Sequence, residues 1–259
     1  GSGGGKDVLA ALLAGHRHVT AVEINPVIGE LVTTRYADFI GHLFQDPRVT
    51  LRIQEGRNFI ASSNEQYDTI QIVMTDSWAG VFTGAYVFNE SSLYTREAVR
   101  DYVALLKPNG MLSVTRFYQW NEALRLTNLF LDYLAHEDVA DADQRLVVVR
   151  NTARHDVRAT VILKHGAFTP EDIAVVSAHS GRHGNRIVYA PLLQDADMDP
   201  APSARRFRAL ILPQRHGYPS REEFLRTYPH NLSAPTDDRP FFFFTTKLGD
   251  LFRFDPKGH

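Results

Sequence analysis

Residues 3–26 read GGGKDVLAALLAGHRHVTAVEINP, and this stretch decides the fold. Three glycines open a helix predicted over residues 6–14, whose apolar side chains recur on one face before a further glycine ends it. A short buried strand follows at residues 19–23 and finishes in an acid, and Pro26 suits the first turn of a helix expected to run to Leu43. A glycine loop, a helix and a strand ending in an acid are together typical of nucleotide-binding folds.

The rest of the chain continues to alternate strands and helices. The predicted strands are residues 49–53, 69–74, 111–114, 146–149, 159–163 and 186–189, and the predicted helices are 57–62, 92–106, 122–136, one starting at Thr169, and 221–227. We therefore expect an α/β fold: a doubly wound Rossmann-like sheet, mostly parallel, with an antiparallel hairpin at one edge. No strand precedes the glycines, so we expect a truncated chain whose first strand is missing. Residues 1–190 are predicted to form the nucleoside-binding domain, and 191–259 a C-terminal extension packed on it.

Composition excludes several classes of site and partner. The 259 residues carry a net charge of -2, which gives no electrostatic footprint for nucleic acid, and they include no cysteine, so thiolate metal sites and cysteine nucleophiles are excluded. His179 and His183 have metal-ligand spacing, but glycines interrupt that stretch and no third ligand is apparent, so we expect no metal. The sequence has no apolar run long enough to span a bilayer and no signal peptide, so we expect a cytoplasmic protein.

Two features indicate a bound nucleoside. Gly3, Gly4 and Gly5 let a ligand approach the backbone at the amino end of a helix. Glu23, at the end of the next strand, can accept hydrogen bonds from both ribose hydroxyls, although nicotinamide enzymes use the same device. The alternative for Glu23 is a solvated carboxylate at a strand end. These residues predict an adenosine site without choosing its cofactor.

Asp76 is the candidate catalytic residue. It comes just after the apolar strand predicted at residues 69–74, where it would face the transferable group of a bound cofactor. It could hold an acceptor amine or remove its proton. Capping of a helix or loop by Asp76 or Ser77 is the structural alternative.

Several motifs together resemble the spermidine synthases over about residues 1–118. They are Gly3-Gly4-Gly5, Ala21-Val22-Glu23-Ile24-Asn25-Pro26, Asp46-Pro47-Arg48-Val49, Glu55-Gly56-Arg57-Asn58-Phe59, Tyr67-Asp68 and Thr75-Asp76-Ser77. The resemblance implies a methyltransferase-type fold in which Glu23 holds the ribose, Glu55 and Gly56 flank the adenine, and Asp76 is catalytic. The cofactor-binding candidates are Gly3, Gly4, Gly5, Asp7, Glu23, Ile24, Glu55, Gly56, Arg57, Asp76 and Ser77.

The end of the chain carries a second resemblance. Pro235-Thr236-Asp237-Asp238-Arg239-Pro240, followed by four phenylalanines at residues 241–244, resembles the ending of large bacterial spermidine-synthase-like proteins, in which this domain is often fused to membrane helices. The phenylalanines are expected to form a buried strand. Asp237 and Asp238 either belong to a turn with an ion pair or fold back over the substrate pocket.

Two departures from the family pattern bear on the reaction. Gly5 stands where the family has the aspartate that recognises the amine of decarboxylated S-adenosylmethionine, although a one-residue gap would make Asp7 that residue. Ala79 stands where the family has a second aspartate that grips the polyamine. Aromatic residues in the following loop, Trp78 and Tyr86 among them, would suit a less charged acceptor.

These departures favour methyl transfer from S-adenosylmethionine to a small-molecule nucleophile, with an amine as the expected acceptor. The first alternative is aminopropyl transfer from decarboxylated S-adenosylmethionine, in which Asp237 or Asp238 replaces the missing polyamine acid. A non-catalytic nucleoside sensor and a nicotinamide dehydrogenase are the others. The substrate-binding candidates are Trp78, Tyr86, Asp237 and Asp238. Analogy with the family adds two expectations, a homodimer and membrane helices in a longer parent protein.

Overall fold

The computed structural model describes residues 1–75, 91–152 and 157–247, which divide between two compact units, Gly1–Glu65 and Gln66–His259. Asp76, Ser77, Ala79, Trp78 and Tyr86 lie outside the described residues. The domain boundary expected at residue 190 stays a prediction, and the described residues beyond it belong to the second unit.

The first unit places helices around a pair of parallel strands. In chain order its elements are α1 (Lys6–Leu13), β1 (Val19–Glu23), α2 (Pro26–Thr33), a short 3-10 helix (Leu43–Gln45), β2 (Val49–Ile53) and α3 (Gly56–Ser62). Strands β1 and β2 pair in register from Val19 opposite Val49 to Glu23 opposite Ile53. The core joins one face of α1 and α2 to the strands and the 3-10 helix, through Val8, Leu12, Ala21, Val32, Leu43, Phe44 and Val49.

Helix α2 is shorter than the sequence predicted. It ends at Thr33, and Thr34 leaves helical geometry with φ -124° and ψ -86°. The hydroxyls of both threonines donate to backbone carbonyls one turn back, at 2.8 Å to Gly29 and 2.7 Å to Glu30. Such β-branched residues are poor helix formers, so the helix stops and the chain turns back to reach the core at Leu43.

The second unit contains a five-stranded sheet. Its elements are β3 (Tyr67–Val73), α4 (Arg96–Ala104), β4 (Leu106–Phe117), α5 (Glu122–His136), β5 (Leu146–Arg150), β6 (Arg158–Lys164), α6 (Pro170–Arg182), β7 (Arg186–Tyr189), α7 (Pro202–Ile211) and α8 (Arg221–Thr227). The strand order is β3-β4-β6-β5-β7. Strands β3 and β4 are parallel, and the pairs beyond β4 are antiparallel. The α/β class and the predicted antiparallel edge are therefore confirmed.

Helix α5 is the central packing element of the second unit. Nearly every residue of its first three turns is buried, polar ones included. Arg125 donates to the backbone carbonyls of Ser233, Phe242 and Phe244 at 3.0, 2.7 and 2.5 Å, and burial lowers its pKa to about 10. Asn128 donates to the carbonyl of Leu232 at 2.8 Å. The C-terminal segment is thus attached to α5 through its backbone.

Three local predictions about the second unit were wrong. Strand β4 begins at Leu106 instead of residue 111, because residues 108–110, where a turn was predicted, belong to the strand. The backbone of Gly110 there lies too close to the carbonyls of Lys107 and Tyr67 for any side chain. Helix α4 begins at Arg96 instead of residue 92, where the Thr95 hydroxyl caps it. Residues 241–244 form a turn instead of a strand, and Phe242 packs on Tyr94 with ring centroids 4.7 Å apart.

Helix α7 was missed in the segment rich in proline and arginine. Its sequence carries a recognisable signal, since Pro202 occupies the first helical position and Ala204, Phe207 and Ile211 recur at helical spacing and are buried. Among the described residues, no helix is both long and apolar enough to cross a bilayer.

Candidate functional site

Glu23 and the glycine loop form one hydrogen-bonded assembly in the first unit. The Ser2 N–H donates to the Val22 carbonyl, and the Gly3 N–H donates to Glu23 Oε2, both at 2.9 Å. Glu23 Oε1 accepts the N–H of Asn25 at 3.0 Å, and the side chain is buried, with only 5% of its surface exposed. The predicted proximity of the loop and the acid is therefore present in the folded chain.

The Glu23 carboxylate can accept further hydrogen bonds. A carboxylate has about four lone-pair sites on its two oxygens. The two backbone N–H groups take one site on each oxygen. These bonds also fix the orientation of the side chain, which leaves each oxygen able to accept one hydroxyl of a vicinal diol such as ribose.

The three glycines of the loop have different surroundings. At Gly3 and Gly4 an added Cβ would meet no atom within 4 Å, so these positions leave room for a ligand. Gly5 caps α1 with a left-handed φ of 87°, and a Cβ there would lie 2.6 Å from Leu43 Cδ2 and 3.0 Å from Phe44 Cε2. A side chain at Gly5 would therefore have a strained backbone and would have to displace Leu43 and Phe44.

Asp7 is the nearest acid to the loop in sequence. It lies in the first turn of α1, two residues after Gly5, and its side chain is half-buried.

Glu55 and Ile24 follow the carboxyl ends of the paired strands. Because β1 and β2 are parallel, Glu23 and Glu55 lie at the same edge of the pair. The Glu55 side chain caps α3 by accepting the N–H groups of Arg57 and Asn58, each at 2.8 Å. Gly56 is the first residue of α3. Ile24 is 63% exposed, so it offers an apolar surface beside Glu23 on which a flat base could pack.

In the second unit a buried polar network reaches the end of β3. The Thr75 hydroxyl lies 3.1 Å from the Tyr94 hydroxyl, which accepts a hydrogen bond from Arg116 Nη1 at 3.1 Å. Arg116 is fully buried and pairs with Glu122 through contacts of 2.9 and 2.6 Å. Thr75 immediately precedes Asp76, so this network fixes the chain at the point where the candidate catalytic acid follows.

Sequence reasoning missed this network. The available signal was a charged residue at an inward position of an apolar strand, since Leu112, Val114 and Arg116 alternate along β4 and all three are buried. A buried arginine in such a strand requires an anion, and Glu122 at the start of α5 supplies it.

The acidic turn near the C-terminus binds the amino end of α4. Asp237 Oδ1 accepts the Thr95 hydroxyl at 2.6 Å, and the Asp237 N–H donates to Glu97 Oε2 at 3.0 Å. The predicted turn is present, with Thr236 paired to Arg239, whereas no ion pair of Arg239 lies among the described residues. Asp238 is exposed. A role of either aspartate over a substrate pocket stays a prediction.

Potential metal ligands do not cluster in the described part of the chain. Residues 1–75, 91–152 and 157–247 contain no group of three or more histidine or acidic side chains that could hold an ion. His179 and His183 pack their rings with centroids 4.4 Å apart but gain no third ligand in these ranges.

Comparison with known proteins identifies relatives over part of the chain. No protein-family model matches it. The chain is 32% identical over 98 residues to a polyamine aminopropyltransferase of Sulfolobus acidocaldarius, an overlap of 37% of this chain and 30% of the relative. It is 28% identical over 139 residues to polyamine aminopropyltransferase 1 of Pseudomonas aeruginosa, an overlap of 51% of this chain and 46% of the relative. The chain thus spans less than half the length of these curated relatives.

A solved structure extends the likeness to the fold. Spermidine synthase from Thermotoga maritima superposes with a TM-score of 0.52 at 16% identity, covering 82% of this chain and 66% of that one. At this identity the superposition bears on the fold alone. The chain therefore has the Rossmann-like α/β fold of spermidine synthase, and part of its sequence is similar to the polyamine aminopropyltransferases.

Proposed function

We propose that this chain transfers an aminopropyl group from decarboxylated S-adenosylmethionine to a small amine. The names of its relatives favour this alternative over the methyl transfer that the sequence departures favoured. The observation that carries the proposal is the buried Glu23 carboxylate, which the Gly3 and Asn25 N–H groups hold in place with hydrogen-bonding capacity left on both oxygens. Ile24 beside it provides the apolar contact that an adenine requires.

The choice of donor rests on the acids beside the glycine loop. Decarboxylated S-adenosylmethionine differs from S-adenosylmethionine in lacking a carboxylate, so the chain of the donor ends in an ammonium group. An aspartate attracts that ammonium and repels a carboxylate. Gly5 has no side chain, and its φ of 87° and its contacts with Leu43 and Phe44 disfavour one, so Asp7 is the residue that we assign to this role.

The donor supplies a sulfonium, which is already a good leaving group. The acceptor nitrogen forms a bond to the propyl carbon as the carbon–sulfur bond breaks, and the bonding pair stays on sulfur as a neutral thioether. The new ammonium then loses a proton to a base, for which Asp76 is the candidate. The protein contributes alignment of the two reactants and exclusion of water.

Calorimetry on the full chain tests the proposal. We expect decarboxylated S-adenosylmethionine to bind more tightly than S-adenosylmethionine, and Glu23→Gln to weaken binding at least tenfold, since hydrogen bonds to a charged group contribute about 1.5–3 kcal/mol. Glu30→Gln is the matched control, because Glu30 is an exposed glutamate on α2. Circular dichroism establishes that both variants fold.

Three results would overturn the assignment. Unchanged affinity of Glu23→Gln for the donor would rule out Glu23 as the residue that binds the ribose. Tighter binding of S-adenosylmethionine, with methylated product in a mass-spectrometric assay with putrescine and other amines, would restore methyl transfer. Binding without any product across the amines would instead favour a sensor.

A further inference from the structure

A cavity lies at one edge of the five-stranded sheet. It has a volume of about 370 Å³ and is lined by residues that follow β4 and end β5, including Tyr118 and Arg150, together with Ser203 and Arg206 from α7. Strands β3 and β4 are parallel, so this is also the edge at which β3 ends. None of the residues assigned to the donor lines this cavity.

The side chains that the structure describes around the cavity give it a positive charge. Arg150 and Arg206 are the charged side chains that line it in the described part of the chain. Arg150 Nε donates to Asp199 at 2.5 Å, but Asp199 is buried and does not line the cavity. Arg206 is exposed and has no carboxylate partner within residues 1–75, 91–152 and 157–247. One guanidinium is therefore balanced, and the other leaves a net positive charge.

Hydrogen bonds hold the second arginine in position. Arg206 Nη1 donates to the Tyr228 hydroxyl at 3.3 Å, and that hydroxyl donates to Asn121 Oδ1 at 2.7 Å. Asn121 also lines the cavity. One nitrogen of the guanidinium is therefore fixed, while the planar group retains further donors, which suits a carboxylate or a phosphate.

Another part of the lining is aromatic and neutral. The Tyr118 ring stacks on Phe207 with centroids 5.3 Å apart, and its hydroxyl donates to Ser203 Oγ at 3.0 Å. Burial raises the pKa of Tyr118, against the opposing effects of the Ser203 hydrogen bond and the Arg150 charge, so the phenol stays protonated. Ser203 is the second residue of α7, whose amino end adds positive potential.

We infer that this cavity binds a small organic anion, with a carboxylate or phosphate on Arg206 and an apolar body along Tyr118 and Phe207. The positive charge of Arg206 repels a cationic amine, so the polyamine-type acceptor of the proposed reaction does not belong here. The cavity is thus a separate ligand site, and it does not depend on the donor site being correctly assigned.

The test uses three probes of similar shape and different charge: phenyl phosphate, benzoate and benzylamine. Calorimetry on the full chain in about 0.15 M salt should give a Kd on the order of 1 mM or tighter for at least one anion, and no binding of benzylamine in that range. Phenyl phosphate alone would identify a phosphate site, benzoate alone a carboxylate site, and both together a general anion site.

A matched pair of variants locates the binding. Arg206→Gln should weaken anion binding roughly tenfold, because it removes a charge-assisted hydrogen bond. Arg205→Gln should leave the affinity within about twofold, because the exposed Arg205 side chain does not line the cavity and salt screens its charge. Equal weakening by both variants, equal binding of benzylamine, or no binding of either anion would overturn the inference.

Discussion

Replacing Gly5 by alanine adds a single methyl group at the start of α1, and two independent costs follow. The φ of 87° is left-handed, which costs an L-residue about 1–2 kcal/mol. The new Cβ would also lie 2.6 Å from Leu43 Cδ2 and 3.0 Å from Phe44 Cε2. Overpacking of this kind costs about 1–3 kcal/mol, so we expect Gly5→Ala to destabilise the first unit by about 2–5 kcal/mol.

Urea denaturation and hydrogen exchange together measure this effect. A loss of about 2 kcal/mol should lower the urea midpoint by about 1 M, since denaturant slopes are about 1–3 kcal/mol per M. Because Leu43 and Phe44 belong to the core around β1 and β2, the amides of these strands should exchange faster. Exchange in the second unit, for example in β5, serves as the internal reference.

Gly4→Ala is the matched control. Gly4 has no left-handed φ and no atom within 4 Å of an added Cβ. The free energy of unfolding of the Gly4→Ala variant should therefore differ from wild type by less than about 0.5 kcal/mol. If Gly5→Ala left the midpoint and the strand exchange unchanged, or if Gly4→Ala cost as much, the packing explanation for Gly5 would be refuted. The assignment of Asp7 to the donor's ammonium would then lose its structural reason.

Two further predictions concern buried ion pairs. Glu122→Gln removes the carboxylate that contacts the fully buried Arg116 at 2.6 Å, so the free energy of unfolding should fall by about 1.5–3 kcal/mol in chemical denaturation. A loss below about 1 kcal/mol would contradict this. Asp199 is buried, which raises its pKa, but hydrogen bonds from Arg150 and the Ala201 N–H outweigh burial and hold the pKa below its ordinary value. The ionised Asp199 carboxylate should therefore contribute fully to the free energy of unfolding above about pH 4, and this contribution should disappear as the pH falls through the lowered pKa. The stability gap between wild type and Asp199→Asn, measured by urea denaturation, should shrink from pH 7 to pH 3, and a constant gap would rule this out.

Elements with strong local signals could be predicted from the sequence. Strands Val19–Glu23 and Val49–Ile53, and helix Glu122–His136, have the predicted bounds. Each combines an apolar pattern with clear start or stop residues, so local preference and burial agree. The helix predicted to continue from Pro26 to Leu43 lacked such a stop signal, since apolar residues continue at helical spacing beyond the point where two threonines end it at Thr33.

Some contacts of the candidate site could be predicted from the sequence, and others could not. The proximity of Gly3 to Glu23 follows from the order of loop, helix and strand, and was predicted. The reason for glycine at position 5 depends on Leu43 and Phe44, which approach it only in the folded chain. The binding of Asp237 by Thr95 likewise joins distant parts of the sequence, which no local pattern encodes.

Arg125 makes helix α5 depend on the backbone of the C-terminal segment, which matters for any engineering of the chain's end. Its guanidinium is neutralised by no carboxylate in the described ranges and relies on backbone carbonyls that the segment supplies at Ser233, Phe242 and Phe244. Side-chain substitutions at those three positions would keep these carbonyl acceptors. Deletion of the segment would instead leave the buried Arg125 guanidinium without them. The backbone of the segment therefore matters to α5 independently of its side chains, and shortening that removes these carbonyls should destabilise the second unit.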